Sequence, residues 1–386
     1  MKLTATTATL LAALTNLSGV VASRTSLPIL SNVRIVVLNG RATLTTSDLD
    51  RAMSRTFDVT DSEDGAFTLP AKRLLSIAKV LTKGDVTLTL DGSVVRIVAG
   101  PSKFKLNGLP AEEFPADVLP QGTSFTVPAR VLRDAFTHTV FATSTDETRY
   151  VLQGCLFDFQ GTSLFVVGTD GRRMSVATVA LETPLKGGNL IVPTAAVNDI
   201  IPLLDIEEAV TVTFSDSGIS FATGNSILVT KVIEGNYPNY QQVIPTANDL
   251  AVVVNRADFA AAVARMGLVE GRNEGVLNLT LCKGEIILNS IGAEVGEADE
   301  IVSAAYEGPK VSVSFNPAFL LAPLKHVKDE TVTLYFGDSA RAPLMLRAPF
   351  THILMPRASN AEAAKAATVP ANATPVAEPT VVAAAA

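Results

Sequence analysis

Residues that build metal centres and disulfide frameworks are scarce in this sequence. It holds two cysteines, Cys155 and Cys282, and three histidines, His138, His326 and His352. Two distant thiols make neither a disulfide framework nor a four-ligand zinc site. No histidine has a ligand companion at helical or hairpin spacing. A phosphate loop, a glycine-rich dinucleotide fingerprint and a nucleophile elbow are also missing. No apolar stretch reaches the roughly 18 residues of a membrane span. The N-terminal runs Leu10-Leu11-Ala12-Ala13-Leu14 and Val20-Val21-Ala22-Ser23 are too short and too interrupted for a signal peptide, and only Lys2 precedes them with positive charge. Leu3, Leu10, Leu14 and Leu17 fit one apolar helix stripe instead. These absences predict a reducing, cytoplasmic setting, two inert core thiols and no metal. The formal net charge of −7 speaks, taken alone, against nucleic-acid binding.

Paired carboxylates are present at Asp48/Asp50, Glu112/Glu113 and Glu207/Glu208. Such pairs are usually solvated loop and strand-end residues, not acid–base machinery. Asp170-Gly171 reads as a turn.

What the sequence does carry is a repeat. Six amphipathic helices are predicted to begin near Thr6, Pro70, Pro128, Pro193, Asn255 and Asn316, about 60 residues apart. Four share a proline-led entry: Leu69-Pro70-Ala71, Val127-Pro128-Ala129, Val192-Pro193-Thr194 and Asn316-Pro317-Ala318. Proline suits a helix start because its missing N–H would be unpaired there. Thr6 and Asn255 are polar caps. Between the helices lie short alternating runs such as Val33–Val37, Ala42–Thr46, Val86–Leu90, Val210–Phe214 and Val332–Phe336. Turn signals at Asn39-Gly40, Asp91-Gly92 and Gly337-Asp338 bound them. Each unit is therefore one helix with three or four antiparallel strands. One helix cannot cover a sheet, so units must pair, giving an α+β chain of three domains. The expected spans are 1–121, 122–247 and 248–358. The remainder, 359–386, is rich in Ala, Pro and Val and is expected to be disordered.

The predicted helices carry bases: Lys72, Arg73 and Lys79, then Arg130 and Arg133, Arg256 and Arg265, and Lys325 and Lys328. Acids gather in loops and strands, as at Asp58 to Asp64 and Glu294 to Glu300. A common helix surface would be basic on an acidic protein.

Several stretches, in order and at matching spacing, resemble the beta subunit of the bacterial DNA polymerase III holoenzyme, the sliding-clamp family. They are Arg24–Leu30, Thr46-Ser47-Asp48-Leu49, Phe104–Pro110, Thr148–Gly154, Gly168–Met174, Glu234–Tyr240 and Leu354-Met355-Pro356-Arg357. The resemblance implies three tandem clamp domains, each with two helices on antiparallel sheets, closing as a head-to-tail homodimer into a six-domain ring. It implies a non-catalytic processivity factor that encircles duplex DNA, needs no cofactor, and tethers replicative polymerase, clamp loader and repair proteins through a short hydrophobic peptide motif. By the same resemblance Arg24, Arg149 and Tyr150 meet DNA, supported by Lys72, Arg73, Arg130 and Arg133. The partner-peptide pocket falls on Leu152, Thr169, Gly171, Arg172, Arg173, Met174, Pro238, Gln242 and Val243, and on Asn316, Phe319, Ala340, Ala342, Ile353, Leu354, Met355, Pro356 and Arg357. Phe104 and Leu106 are expected to face Gly267 and Leu268 of a second copy.

Inner helices crossing the phosphate backbone read no bases, so a few cationic contacts give weak, mobile, salt-sensitive attachment. Retention by topology lets an acidic chain serve DNA. The chain departs from the family at Val151, Gln242, Ala340 and Ala342, and its fourth helix, Pro193 to Leu204, has no base. Two rival readings are a β-rich repeat binding protein without a DNA role and a hydrolase using Asp170 or another acidic pair.

Overall fold

The computed structural model describes residues 1–22, 25–115, 119–205, 207–246, 248–269, 275–292 and 296–357. The first repeat runs β1 (Lys2–Thr6), α1 (Thr7–Leu17), β2 (Asn32–Leu38), β3 (Arg41–Ser47), β4 (Arg51–Asp58) and a short β5 (Thr60–Glu63). The second runs β6 (Gly65–Pro70), α2 (Ala71–Val80), β7 (Asp85–Asp91), β8 (Val94–Ala99) and β9 (Ser102–Asn107). The third and fourth share two long strands: β10 (Thr123–Pro128), α3 (Ala129–Thr137), β11 (Gly154–Thr169), β12 (Arg173–Pro193), α4 (Thr194–Leu204), β13 (Ala209–Phe214), β14 (Gly218–Thr223) and β15 (Ser226–Lys231). The fifth is β16 (Leu250–Asn255), α5 (Arg256–Met266), β17 (Leu277–Cys282), β18 (Glu285–Gly292) and β19 (Gly296–Ala305). The sixth is β20 (Val311–Phe315), α6 (Pro317–Leu324), β21 (Thr331–Phe336), β22 (Leu344–Arg347) and β23 (Phe350–Leu354).

All six helices start where capping chemistry placed them. Thr6 accepts from the Thr9 amide, Asn255 from Ala257 and Asp258, and Asn316 from Ala318 and Phe319. The prolines differ in detail from expectation. Only Pro317 is the first helical residue; Pro70, Pro128 and Pro193 end the preceding strand and cap the helix. Their fixed φ, between −54° and −57°, turns extended chain into helix without a side-chain cap.

Each repeat thus opens with a strand, and that strand pairs in its mate's sheet. β1 pairs with β7 and β6 with β2. β10 pairs with β13, β16 with β21 and β20 with β17. Two repeats are interlocked by exchange as well as by helix packing.

The chain forms two compact units. One is Met1–Pro245 with Leu346–Ile353; the other is Thr246–Met345 with the segment from Leu354. In the first, one sheet runs β5-β1-β7-β8-β9 and a second β10-β13-β14-β15-β4-β3-β2-β6, with β11, β12 and β23 adjacent in a third. β4 and β15 pair from Arg51↔Thr230 to Arg55↔Ser226, joining the first two domains by backbone hydrogen bonds. Helices α1 and α2 bury Leu10, Leu14, Leu17, Leu74 and Ile77. Below α3 and α4, the Phe136 ring lies 5.7 Å from Phe157 and 5.9 Å from Phe221. In the second unit the order is β22-β21-β16-β19-β18-β17-β20, with Phe259, Val263, Leu320 and Leu324 in the core.

Some local expectations are corrected. Leu3 lies in β1, not in the first helix, and alternates inward there. His138 caps α3 from outside, and Lys325, His326 and Lys328 follow α6, which ends at Leu324. Gly337-Asp338 does not close a tight hairpin, since β22 begins only at Leu344. Cys155 is buried, which pushes its thiol up to about 12, whereas Cys282 is half-buried. Residues 359–386 lie outside the described residues.

Candidate functional site

The basic side chains divide by what they already touch. Lys72 and Arg73 occupy the first turn of α2 and are exposed, without an acidic residue in that turn. Arg130 is 79% exposed in the first turn of α3, with Asp134 at 3.9 Å. Cations at a helix N-terminus oppose the macrodipole by about 0.3–1 kcal/mol each. Helix stability does not account for them. Arg133 differs: Asp134 and Asp205, both at 2.6 Å, hold it and raise its pKa, Asp134 the more strongly. In α5, Arg265 is bound to Glu300 and Arg256 donates to the Asp329 carbonyl. Helix α4 carries no base. Arg24 lies outside the described residues.

Arg149 and Tyr150 sit in a kinked 3-10 segment, Glu147–Leu152, where Arg149 adopts φ −112°, ψ 52°. The kink leaves Tyr150 57% exposed. Gly235, at φ +139°, makes room for it: a Cβ there would fall 3.2 Å from the Tyr150 hydroxyl and 2.7 Å from Val151. Arg149 Nη1 donates to the Asp170 carbonyl at 3.1 Å, tying this segment to the β11–β12 turn.

That turn carries five of the expected pocket residues. Asp170 Oδ1 accepts from the Arg172 and Arg173 amides at 2.9 and 3.0 Å, and Oδ2 from Arg173 Nε at 3.0 Å. Gly171 has φ +83°, a conformation that favours glycine. Asp170 is therefore engaged by the turn and by Arg173, which counts against a hydrolase built on that residue. The Arg173 guanidinium also lies 5.9 Å from the Phe141 ring centre, and Phe141 is 5.6 Å from His352. His138 stacks on Phe350 at 4.5 Å. This aromatic layer had no signal in the sequence, because its members are distant along the chain.

Leu152, Met174 and Ile353 are buried beside this layer, while Arg172 is exposed. Pro238, Gln242 and Val243 are exposed around a 3-10 turn, Tyr240–Val243. Tyr237 and Tyr240 pin that segment by donating to the Val167 carbonyl and to Asp158. Burial raises both phenols, so they stay protonated donors. In the second unit Asn316 caps α6, Phe319 is half-buried, Leu354 is buried and Met355 is exposed. Ala340 is exposed and Ala342 half-buried in the 337–343 loop. Arg357 donates its amide to the Ser314 carbonyl, holding the end of the described chain.

Phe104 and Leu106 are half-buried on β9, an edge strand, where they alternate with exposed lysines. Gly267 caps α5, and the next residue, Leu268, is 79% exposed. Among the described residues no cluster of His, Cys, Asp or Glu could hold a metal ion, and no helix is long and apolar enough to cross a membrane.

Paired-repeat domains with outward cations on their helices define a clamp-type fold. Family models of the DNA polymerase III beta subunit match the chain consecutively: the N-terminal domain over 1–120, the central domain over 126–239 and the C-terminal domain over 241–356. The beta sliding clamp of Salmonella typhimurium is 30% identical over 343 residues, 88% of this chain and 94% of that protein. The crystal structure of the DNA polymerase III beta subunit from Pseudomonas aeruginosa superposes with a TM-score of 0.87 at 28% identity, over 93% of this chain and 100% of that one. The sliding clamp of Bartonella birtlesii, solved bound to griselimycin, gives 0.88 at 30% over the same shares. The chain belongs to the DNA polymerase III beta subunit family, the beta sliding clamps.

Proposed function

We propose that this chain is a DNA sliding clamp, a processivity factor that holds replication proteins on duplex DNA. The observation that carries the reading is the match of three consecutive clamp domains across nearly the whole described chain. In this reading two copies associate head to tail, Phe104 and Leu106 of one against Leu268 of the other. Two such contacts close a ring rather than start a filament.

DNA then passes along a helix-lined hole. Lys72, Arg73, Arg130, Arg149 and Tyr150 meet phosphates in this reading, and by the family resemblance Arg24 does so too. Arg133 serves less, being shared by two carboxylates. Few and weak contacts suit the task, since tight binding would stop sliding. The role asks for no reacting group, cofactor or metal, and its place is the cytoplasm.

In this reading the partner site draws on Arg172, Arg173, Met174, Gln242 and Val243 of the first unit. Apolar walls with arginines at the rim suit a short peptide of Leu and Phe anchors carrying an acidic or polar flank. Loading onto nicked circular DNA, followed by linearisation, tests the function. Retention on circles and loss from linear DNA is expected; equal loss from both would overturn it.

A further inference from the structure

The turn that joins β3 to β4 in the first domain duplicates the β11–β12 turn in the second. Asp48 Oδ1 accepts from the Asp50 and Arg51 amides at 3.1 and 2.7 Å, and Oδ2 from Arg51 Nε at 3.1 Å. Asp170 does the same for Arg172 and Arg173. The Ser47 hydroxyl donates to the Arg51 carbonyl and accepts the Leu49 amide, as Thr169 does with Arg173 and Gly171. Leu49 has φ +79°, Gly171 +83°. A leucine in that left-handed conformation is strained by about 1 kcal/mol or more. Its side chain is 49% exposed.

A groove of about 430 Å³ opens beside Leu49, between the first and second domains. Its walls come from this turn, from Pro115 and Pro120 of the interdomain segment, and from Val229 and Val232 at the end of the fourth repeat. Its charge differs from that of the β11–β12 turn. Where that turn presents Arg172, this one presents Asp50, which Lys231 neutralises at 3.0 Å. Arg51 is shared by Asp48 and Asp199, leaving one negative charge over. Glu234 is exposed at the groove and makes no ion pair among the described residues.

We infer that this groove is a second peptide-docking site, for a partner segment with an aliphatic or aromatic anchor beside a lysine or arginine. The anchor would lie on Leu49, Val229 and the two prolines, and its basic neighbour against Glu234. The inference borrows from the proposed partner pocket only the likeness of the two turns; groove, strain and charge stand on their own. Nucleic acid is disfavoured because the two cations of the groove, Arg51 and Lys231, are already held by carboxylates, whereas Glu234 has no ion pair among the described residues.

The test uses full-length protein and a fluorescein-labelled hexapeptide with a Leu–Phe pair between two lysines. An unlabelled, acid-flanked Leu–Phe peptide is added to saturation to fill the partner pocket. Anisotropy is expected to report binding that survives the competitor, weakens at least fivefold in Glu234→Lys and in Leu49→Gly, and disappears when the probe lysines become glutamates. Leu49→Gly relieves the strained φ, so a loss of binding there cannot be a loss of fold. Complete displacement by the acidic peptide, or unchanged binding in both variants, would overturn the inference. If the acidic peptide itself fails to bind, the partner-pocket reading falls while the lysine probe still reports on the groove.

Discussion

Arg51 Nη1 donates to Asp199 Oδ2 at 2.5 Å, linking the β3–β4 turn of the N-terminal domain to helix α4 of the second. The two side chains are only 17% and 13% exposed. Gly19 makes the approach feasible, since a Cβ there would fall 2.2 Å from Asp199 Oδ1. The same guanidinium holds Asp48, so one cation serves two carboxylates. Burial raises the Asp199 pKa, Arg51 opposes that shift and Asp48 adds to it.

Removing Asp199 takes away one of the two carboxylates on Arg51 and leaves Asp48 in place. Asp199→Ala is expected to destabilise by about 1.5–3 kcal/mol, the range for a lost hydrogen bond to a charged group. Asp199→Asn keeps an acceptor for Arg51 and should cost under about 1 kcal/mol. The pH dependence has a definite sign. A carboxyl whose folded pKa is raised binds its proton first in the folded state, so its contribution to stability grows as pH falls through the folded value. Wild type should therefore gain on Asp199→Asn between neutral pH and about pH 4. Denaturant titrations across that range check it; a gap that widens against wild type on acidification would contradict the raised value.

Much of this architecture was legible because caps are local. Thr6, Asn255, Asn316 and the prolines announced all six helices from a few neighbouring residues. The strand before each helix was not legible, because its partner lies in the mate repeat. The sixth helix was read too far, to Lys325 and Lys328, where basic residues continued an acceptable pattern past its end at Leu324. The charge census treated Asp48/Asp50 as solvated. Asp50 is exposed, but Asp48 is only 22% exposed and bound to Arg51. The Asp199 contact, 148 residues away, has no local signature. Nor do the twin turns, which share an aspartate and an arginine and little else.

The exposed cations at helix starts carry the DNA prediction. Changing Lys72 and Arg73 together to Ala should lower the slope of log affinity against log salt by about 1–2. Arg24→Ala with Arg149→Ala should reduce loading as well. Neither change should create a sequence preference. Binding to duplexes of different sequence at several salt concentrations decides this, and a fixed footprint on one sequence would sink the mechanism.

Leu268 bears on assembly. At 79% exposure its side chain contributes little to the fold of one chain. Leu268→Asp should leave thermal stability of the monomer within about 0.5 kcal/mol and shift the dimer to monomer in sedimentation. The ring reading fails if the unmodified chain sediments as a stable monomer.

Buried and exposed members of the proposed partner site are expected to respond differently to substitution. Met174 is 3% exposed and Leu354 1%. Truncating either to Ala should remove about 1–3 kcal/mol of peptide binding, together with a folding cost of about 2–5 kcal/mol. Val243 and Met355 are exposed, so Val243→Asp and Met355→Asp should weaken a Leu–Phe peptide about tenfold, or roughly 1.4 kcal/mol, with little effect on unfolding. Residues past Arg357 contain no leucine or phenylalanine; their bulkiest apolar side chains are valines such as Val376, Val381 and Val382. They lack the anchor pair a pocket ligand needs, so ending the chain after Arg357 should leave peptide affinity within about twofold. Titrating one labelled peptide against the five variants and wild type, with melting curves alongside, distinguishes the contributions of buried residues, exposed residues and tail. A tenfold gain on truncation would make the tail an inhibitor of the pocket, and unchanged affinity in both Val243→Asp and Met355→Asp would place the peptide elsewhere.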